Sequence, residues 1–138
     1  MDDRKREPAA DMPPLDGVNA PGNIARLGRQ LLAEHPEQLN YALLLTATRQ
    51  LIAIAEVARE DDPAAIVCDV FRLALLDEAE AVAFCSLRPI ARVAPRADDY
   101  ALAQALSHAG RTLGIELFDH VITGVTEYYS FRELGMLC

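Results

Sequence analysis

Tryptophan is absent from this 138-residue chain, and aromatic residues make up only 6% of it. Hydrophobic residues still account for 51% of the sequence, so aliphatic side chains are expected to fill a single core. No apolar run approaches the roughly 20 residues that cross a bilayer, and none follows the charged N-terminus as in a signal peptide. The sequence therefore predicts a cytoplasmic protein with no membrane partner.

Cysteines are few, and their spacing is irregular. Cys68, Cys85 and Cys138 are odd in number and include no pair separated by two residues. Disulfide scaffolds and cysteine-rich zinc sites both need paired cysteines. The pattern is typical of a protein in a reducing compartment. Cys85 lies in an apolar run, and we interpret it as a packed, unreactive thiol.

Lysine is also scarce, because Lys5 is the one lysine among 13 basic residues, against 21 acidic ones. The formal net charge of −8 repels phosphate backbones, so nucleic-acid binding is not expected of the whole chain. Arginine, unlike lysine, offers a fork of N–H groups that fits a carboxylate or a phosphate. Clustered arginines are therefore where an anion could bind locally.

What the sequence does contain is an alternation of helical and strand patterns. Residues 1–22 are rich in proline and acidic residues, and we interpret them as a disordered leader or a loosely attached arm. Residues 23–138 are predicted to form one domain. Its periodicity predicts the order αββαβαββ, which is an α/β fold of three α-β-α layers with a mixed sheet. The predicted helices are 24–34, 63–76 and 98–113, and the predicted strands are 39–46, 51–57, 81–85, 115–123 and 125–129.

Two segments near the C-terminus carry a family resemblance. Residues 109–124 contain the pattern Leu-x-Asp-His-x-Ile, and residues 128–133 are Tyr-Tyr-Ser-Phe-Arg-Glu. Together they resemble the JAB (MPN-type) domain of the RadC family, which are nominally bacterial-type DNA-repair proteins. The resemblance covers about residues 37–136. It implies a cytidine-deaminase-like mixed sheet with helices on both faces, and a metalloprotease-like zinc site.

The zinc signature of that family, His-x-His-Pro-Ser-Gly followed by an aspartate, survives here only in part. If Pro89 matches the signature proline, ten residues separate Arg88 from Asp99, which is the family's interval between its second histidine and its aspartate. Ser86 then stands at the first histidine position and Arg88 at the second. Gln38 stands at the position of the glutamate that activates the metal-bound water. We treat Gln38, Ser86, Arg88 and Asp99 as a vestigial site.

These replacements remove the chemistry that the resemblance implies. Serine is a poor zinc ligand, an arginine cation repels a dication, and glutamine cannot act as a general base. We therefore expect no metal, no cofactor and no catalytic residues at this site. Asp99 would be left without an ion. Two roles are open to it, an ion pair with Arg88 or capping of the helix that starts nearby.

Two other groups of residues invite a functional interpretation. Arg88, Arg92 and Arg96 are spaced by four in a proline-punctuated loop, where they could bind a phosphate or an acidic partner, or simply be solvated charges. Asp119 and His120 are neighbours on one predicted strand, so their side chains should point to opposite faces. We interpret His120 as a structural histidine.

Three functions follow from these observations. The first is a non-catalytic domain that binds a protein partner or a second copy of itself as a homodimer, and we favour it. The second is a hydrolase with a remodelled centre that uses Ser86, Asp99 and Glu37. The third is a nucleic-acid accessory role that depends on the loop arginines.

Overall fold

A mixed sheet with helices on both faces forms the part of the chain that the structure describes. The structure is a computed structural model. It describes residues 6–8, 20–37, 39–57, 62–90 and 92–137. Along the chain its elements are β1 (Arg6–Pro8), α1 (Pro21–Glu34), β2 (Asn40–Leu45), β3 (Leu51–Glu56), α2 (Pro63–Leu76), β4 (Ala81–Leu87), α3 (Ala97–Leu113), β5 (Glu116–Thr123) and β6 (Tyr128–Ser130).

The strands of the described residues lie in the order β1-β3-β2-β4-β5-β6. β4 and β5 are parallel, and the other neighbouring pairs are antiparallel. α1 covers one face of the sheet, and α2 and α3 cover the other. This arrangement confirms the predicted three-layer α/β fold, with the order αββαβαββ from α1 to β6.

One strand comes from the segment predicted to be a leader. β1 pairs antiparallel with β3, and its Arg6 and Pro8 lie opposite Ala55 and Ala53. Residues 9–19 lie outside the described part of the chain. Three residues are too short to show a strand periodicity, so the sequence gives no sign of this pairing.

Each face of the sheet has its own core. Beneath α1, Leu31 and Leu43 are 1% exposed. Beneath α2 and α3, Leu73 is 1% exposed and Leu106 is fully buried. The cores are largely aliphatic, as the shortage of aromatic residues predicts. Among the described helices, none has the length and apolar character that a membrane crossing requires.

The direction of α2 and α3 sets the position of the site. α2 leads through a short turn into β4, and α3 leads in the same way into β5. The two parallel strands start side by side, with Ala81 opposite Glu116. The C-terminal ends of both helices therefore lie at the start of these strands. Their N-terminal ends meet at the carboxyl ends of β4 and β5, which is where open α/β sheets bind ligands.

Candidate functional site

A cleft of about 640 Å³ opens at the carboxyl end of β4, between the first turns of α2 and α3. Its walls come from the start of β2, from Ile66 of α2, from the segment 86–90, and from the start of α3. The cleft is thus bounded by elements that are distant in sequence. The fold brings them together because both helices point their N-termini at this end of the sheet.

Three of the four vestigial positions meet in this cleft. Ser86, Arg88 and Asp99 all line it. Gln38, the fourth, lies outside the described residues. Glu37, its neighbour, is exposed. The interval between Arg88 and Asp99 allows the two side chains to face each other, because the strand ends at Leu87 and the helix begins at Ala97.

Arg88 and Asp99 form an ion pair. Nη2 of Arg88 donates a hydrogen bond to Oδ1 of Asp99, and the two side chains are 17% and 10% exposed. Nη1 of Arg88 also donates to the carbonyl oxygen of Ala94, at 3.3 Å. In such a sheltered position each charge needs the other, because an unpaired buried charge is strongly destabilising.

Asp99 also caps α3. Its second carboxylate oxygen, Oδ2, accepts a hydrogen bond from the backbone N–H of Arg96 at 2.7 Å. That N–H precedes the first turn and has no partner within the helix. The two roles that the sequence offers for Asp99 therefore occur together, one on each carboxylate oxygen. The carboxylate charge is also stabilised by the positive end of the helix dipole.

Ser86 has a polar neighbour that the sequence did not reveal. Its Oγ lies 3.3 Å from Nε2 of His120. The parallel register places His120 opposite Phe84 and Ile122 opposite Ser86, so Ser86 and His120 lie on the same face of adjacent strands. The pattern Ser86-x-Arg88 and the pattern Asp119-His120 could have been linked only by knowing that register.

His120 is fully buried in aromatic surroundings. Its ring stacks on Phe131 with centroids 4.8 Å apart, and its edge meets Phe84 at 5.2 Å. Burial lowers the pKa of His120 to about 4, with a smaller upward effect from Asp99 and a smaller downward effect from Arg88. The imidazole is therefore neutral at physiological pH, and it is a weak base.

The neutral His120 ring carries one hydrogen, either on Nδ1 or on Nε2. Nδ1 is buried and has no hydrogen-bond partner among the described residues. A buried N–H without an acceptor is rarer in proteins than an acceptor without a donor. The favoured tautomer therefore carries its hydrogen on Nε2 and donates it to the Ser86 hydroxyl. The hydroxyl then keeps its own hydrogen for another acceptor.

Asp119 takes no part in the cleft. Its carboxylate accepts hydrogen bonds from Oγ of Ser130 at 2.6 Å and from the backbone N–H of Arg132 at 3.0 Å. Burial raises the pKa of Asp119, and these hydrogen bonds oppose that rise. Strand alternation puts Asp119 on the α1 face with Val121, whereas His120 faces α3. The Asp119 carboxylate fixes the chain after β6.

The cleft does not fit a zinc ion. Arg88 stands where the resemblance implies a histidine ligand, and its guanidinium occupies one oxygen of the aspartate that would bind the metal. The described residues contain no group of three His, Cys, Asp or Glu side chains that could hold a metal. Cys85 adds no ligand here, because it packs in the core beneath α1 and burial raises its pKa to about 12.

The loop arginines have three different environments. Arg88 is paired with Asp99. Arg96 is exposed, lines the cleft, and makes no ion pair with the described residues. Arg92 is exposed and lies away from the lining of the cleft. The predicted arginine triplet is thus divided into one structural cation, one at the cleft and one outside it.

Comparison with known proteins shows related sequences. Residues 18–136 match the family model described as the RadC-like JAB domain. The chain is 30% identical to the UPF0758 protein of Trichlorobacter lovleyi over 135 residues, which cover 96% of this chain and 59% of that protein. It is 34% identical to the UPF0758 protein of Alkaliphilus metalliredigens over 122 residues, covering 87% of this chain and 53% of that protein. For the UPF0758 protein of Symbiobacterium thermophilum the identity is 34% over 99 residues, covering 70% and 42%. The chain spans about half the length of the curated relatives that it matches.

Proposed function

The chain belongs to the RadC-like JAB domain family, and from this premise we propose that it is a non-catalytic member that serves as a binding or dimerisation module. The observation that carries the proposal is the ion pair between Arg88 and Asp99. A metal-dependent hydrolase needs an open coordination position at a dication held by uncharged or anionic ligands. Here the protein supplies its own cation to the aspartate.

A hydrolase with a remodelled centre is less well supported by the same geometry. Both oxygens of Asp99 are already hydrogen-bonded, to Arg88 and to the backbone of Arg96. Ser86 has an imidazole beside it, but burial lowers the pKa of His120 to about 4. An efficient general base has a pKa near the working pH and a partner that orients it, and Nδ1 of His120 has no such partner among the described residues.

The surface beside the cleft supports a protein ligand. Ile90 and Val125 are 47% and 53% exposed, and the backbone N–H of Val125 donates to the carbonyl oxygen of Ile90 at 2.8 Å. Ile90 lines the cleft together with Pro89 and Arg96, and Val125 is held beside it by this backbone hydrogen bond. Apolar contacts with polar groups beside them are typical of protein interfaces. A protein partner or a second copy of the chain is the ligand class that we propose.

The first experiment measures metal content. Protein produced in zinc-supplemented medium and purified without chelator should contain far less than one zinc ion per chain by elemental analysis. Stoichiometric zinc in that material would contradict the proposal directly, since it would show that the cleft holds the family's metal despite Arg88.

The second experiment restores the missing ligands. The triple variant Gln38→Glu, Ser86→His, Arg88→His should gain zinc at close to one ion per chain, because it supplies two imidazoles beside the Asp99 carboxylate. The matched control adds Asp99→Asn to the same variant and should bind far less zinc. If the folded triple variant stays metal-free at saturating zinc, the assignment of these positions to the metal site is wrong.

A further inference from the structure

The cleft combines several groups that favour negative charge. It lies at the N-terminal ends of two helices, α2 and α3, where unpaired backbone N–H groups and the helix dipoles stabilise anions. Helix ends alone do not make a site, and Asp62 already caps α2 by accepting from the N–H of Ala64. The side chains between the two helix ends are what point to a ligand.

Arg96 supplies the charge. The Arg88 cation is neutralised by Asp99, whose two oxygens are both engaged. Arg96 lines the same cleft and has no carboxylate partner among the described residues. The local balance of Arg88, Arg96 and Asp99 is one positive charge, on a chain whose net charge is −8. A guanidinium without a carboxylate partner in the described part of so acidic a chain is well placed to bind an anionic group.

Ser86 supplies a directed hydrogen bond. It is 7% exposed, and it lines the cleft. His120 lies behind it, with Nε2 at 3.3 Å from Oγ. With the imidazole donating to that oxygen, the hydroxyl hydrogen is free to be donated into the cleft. His120 therefore acts as a positioning residue for the hydroxyl and does not touch the ligand.

We propose that this cleft binds the carboxylate or phosphate group of a ligand, with the Arg96 guanidinium and the Ser86 hydroxyl as its donors and His120 orienting the hydroxyl. The inference rests on the proposed function, because only a zinc-free cleft leaves Asp99 paired with Arg88 and the Ser86 hydroxyl open to a ligand. An oxyanion accepts hydrogen bonds from several directions, which suits a cleft lined by one donor from β4 and another from the residue that precedes α3. A cation would meet the guanidinium groups and be repelled.

The experiment compares two arginines of one loop. The full chain, labelled with 15N, is titrated with inorganic phosphate and separately with succinate, each at constant ionic strength with chloride as the background anion. We expect saturable shifts of the backbone signals of Ser86, Arg96 and Asp99. Arg96→Gln should weaken binding by about tenfold, the usual effect of removing a charged hydrogen-bond donor. Arg92→Gln removes the same charge outside the cleft and should leave the affinity within about twofold of wild type.

A second variant tests the hydroxyl without altering charge. Ser86→Ala should weaken binding several-fold, and the shifts of Arg96 should persist. Saturation by phosphate alone or by succinate alone would identify the anion class. Equal losses of affinity in Arg92→Gln and Arg96→Gln would overturn the proposal and indicate a diffuse charge effect, as would unsaturated shifts with both anions.

Zinc content measured on the same samples separates this inference from the proposed function. Zinc-free protein that binds neither anion contradicts only this inference, whereas stoichiometric zinc contradicts the proposed function.

Discussion

The imidazole of His120 shows how one side chain can connect two parts of the structure. It lies between Phe84 and Phe131 in the interior, yet its Nε2 reaches the serine at the floor of the cleft. Replacement of a metal-binding histidine by serine at position 86 would leave a polar group in this place. His120 provides that group with a partner, so the polar floor of the cleft is hydrogen-bonded by the protein itself.

The buried imidazole predicts a specific pH dependence of stability. Burial lowers the pKa of His120 from 6.5 to about 4 in the folded state. Above pH 6.5 the ring is neutral in both states and has no effect. As the pH falls from 6.5 towards 4, the unfolded chain binds a proton that the folded chain does not, so the free energy of unfolding should fall. The loss is about 1.4 kcal/mol per pH unit, or about 3 kcal/mol in all.

The measurement compares wild type with His120→Gln by urea unfolding across this pH range. Glutamine retains an N–H that can donate to Ser86 but does not titrate. Asp119, whose pKa burial raises, contributes equally to both curves and cancels in the difference. The stability of wild type relative to the variant should decline below pH 6.5. Parallel curves would show that the imidazole titrates normally in the folded protein.

Among the elements, α3 is constrained at both of its ends. It begins at the cleft with the Asp99 cap, and it is followed by the C-cap residue Gly114, whose φ of 74° lies in the left-handed region that favours glycine. Near its end, Gly110 lies directly against the following chain. A Cβ atom at this position would lie 2.3 Å from the carbonyl oxygen of Ile115. The close approach allows a short connection between α3 and β5. This connection helps to fix the register of β5 on β4, in which His120 lies opposite Phe84.

Adding a methyl group at this contact should therefore destabilise the protein. Gly110→Ala is expected to lower the free energy of unfolding by at least about 2 kcal/mol, because the atom that it meets is backbone and cannot rotate away. Gly22→Ala is the matched control, since Gly22 also lies in a helix and its added Cβ would meet nothing within 4 Å. The control should be neutral or stabilising by about 0.5–1 kcal/mol. Thermal and urea unfolding of both variants measure the difference, and equal stabilities would refute the close packing of α3 on β5.

The elements differ in how far they can be predicted from the sequence. α3 could be predicted because its apolar spacing repeats over several turns and Gly114 marks its end. The contact of Ser86 with His120 could not be predicted, because it depends on the pairing of two strands that are separated in sequence by the whole of α3. The Arg88–Asp99 pair was one of two alternatives, since sequence spacing brings the residues near each other but does not orient their side chains. The pairing of β1 with β3 gave no periodic signal at all.

At the scale of the whole molecule, charge is distributed unevenly. The chain carries 21 acidic and 13 basic residues, while two of three charged side chains named in the cleft are arginines. The negative charge of the whole molecule repels long polyanions, whereas the arginines of the cleft attract a small anionic group locally. The electrostatics thus separate local anion recognition from nucleic-acid binding.

Duplex DNA should therefore not bind measurably at physiological salt. Fluorescence anisotropy with a labelled duplex should stay at the value of free DNA over the micromolar range of protein, in wild type and in Arg92→Gln alike. A lysine-rich DNA-binding domain of similar size provides the positive control. Tight binding that weakens steeply with added salt would show phosphate contacts, and it would favour the nucleic-acid role over the one that we propose.

The pairing of Arg88 with Asp99 also bears on how such a protein can change. Losing Arg88 alone would leave a sheltered carboxylate without its cation, and losing Asp99 alone would isolate the guanidinium. Either step breaks a partly buried pair and leaves one charge without its partner, at a cost of about 1–3 kcal/mol. A metal centre of the kind that the family resemblance implies would therefore require Arg88 to be replaced together with other positions of the cleft, because its replacement alone would destabilise the fold.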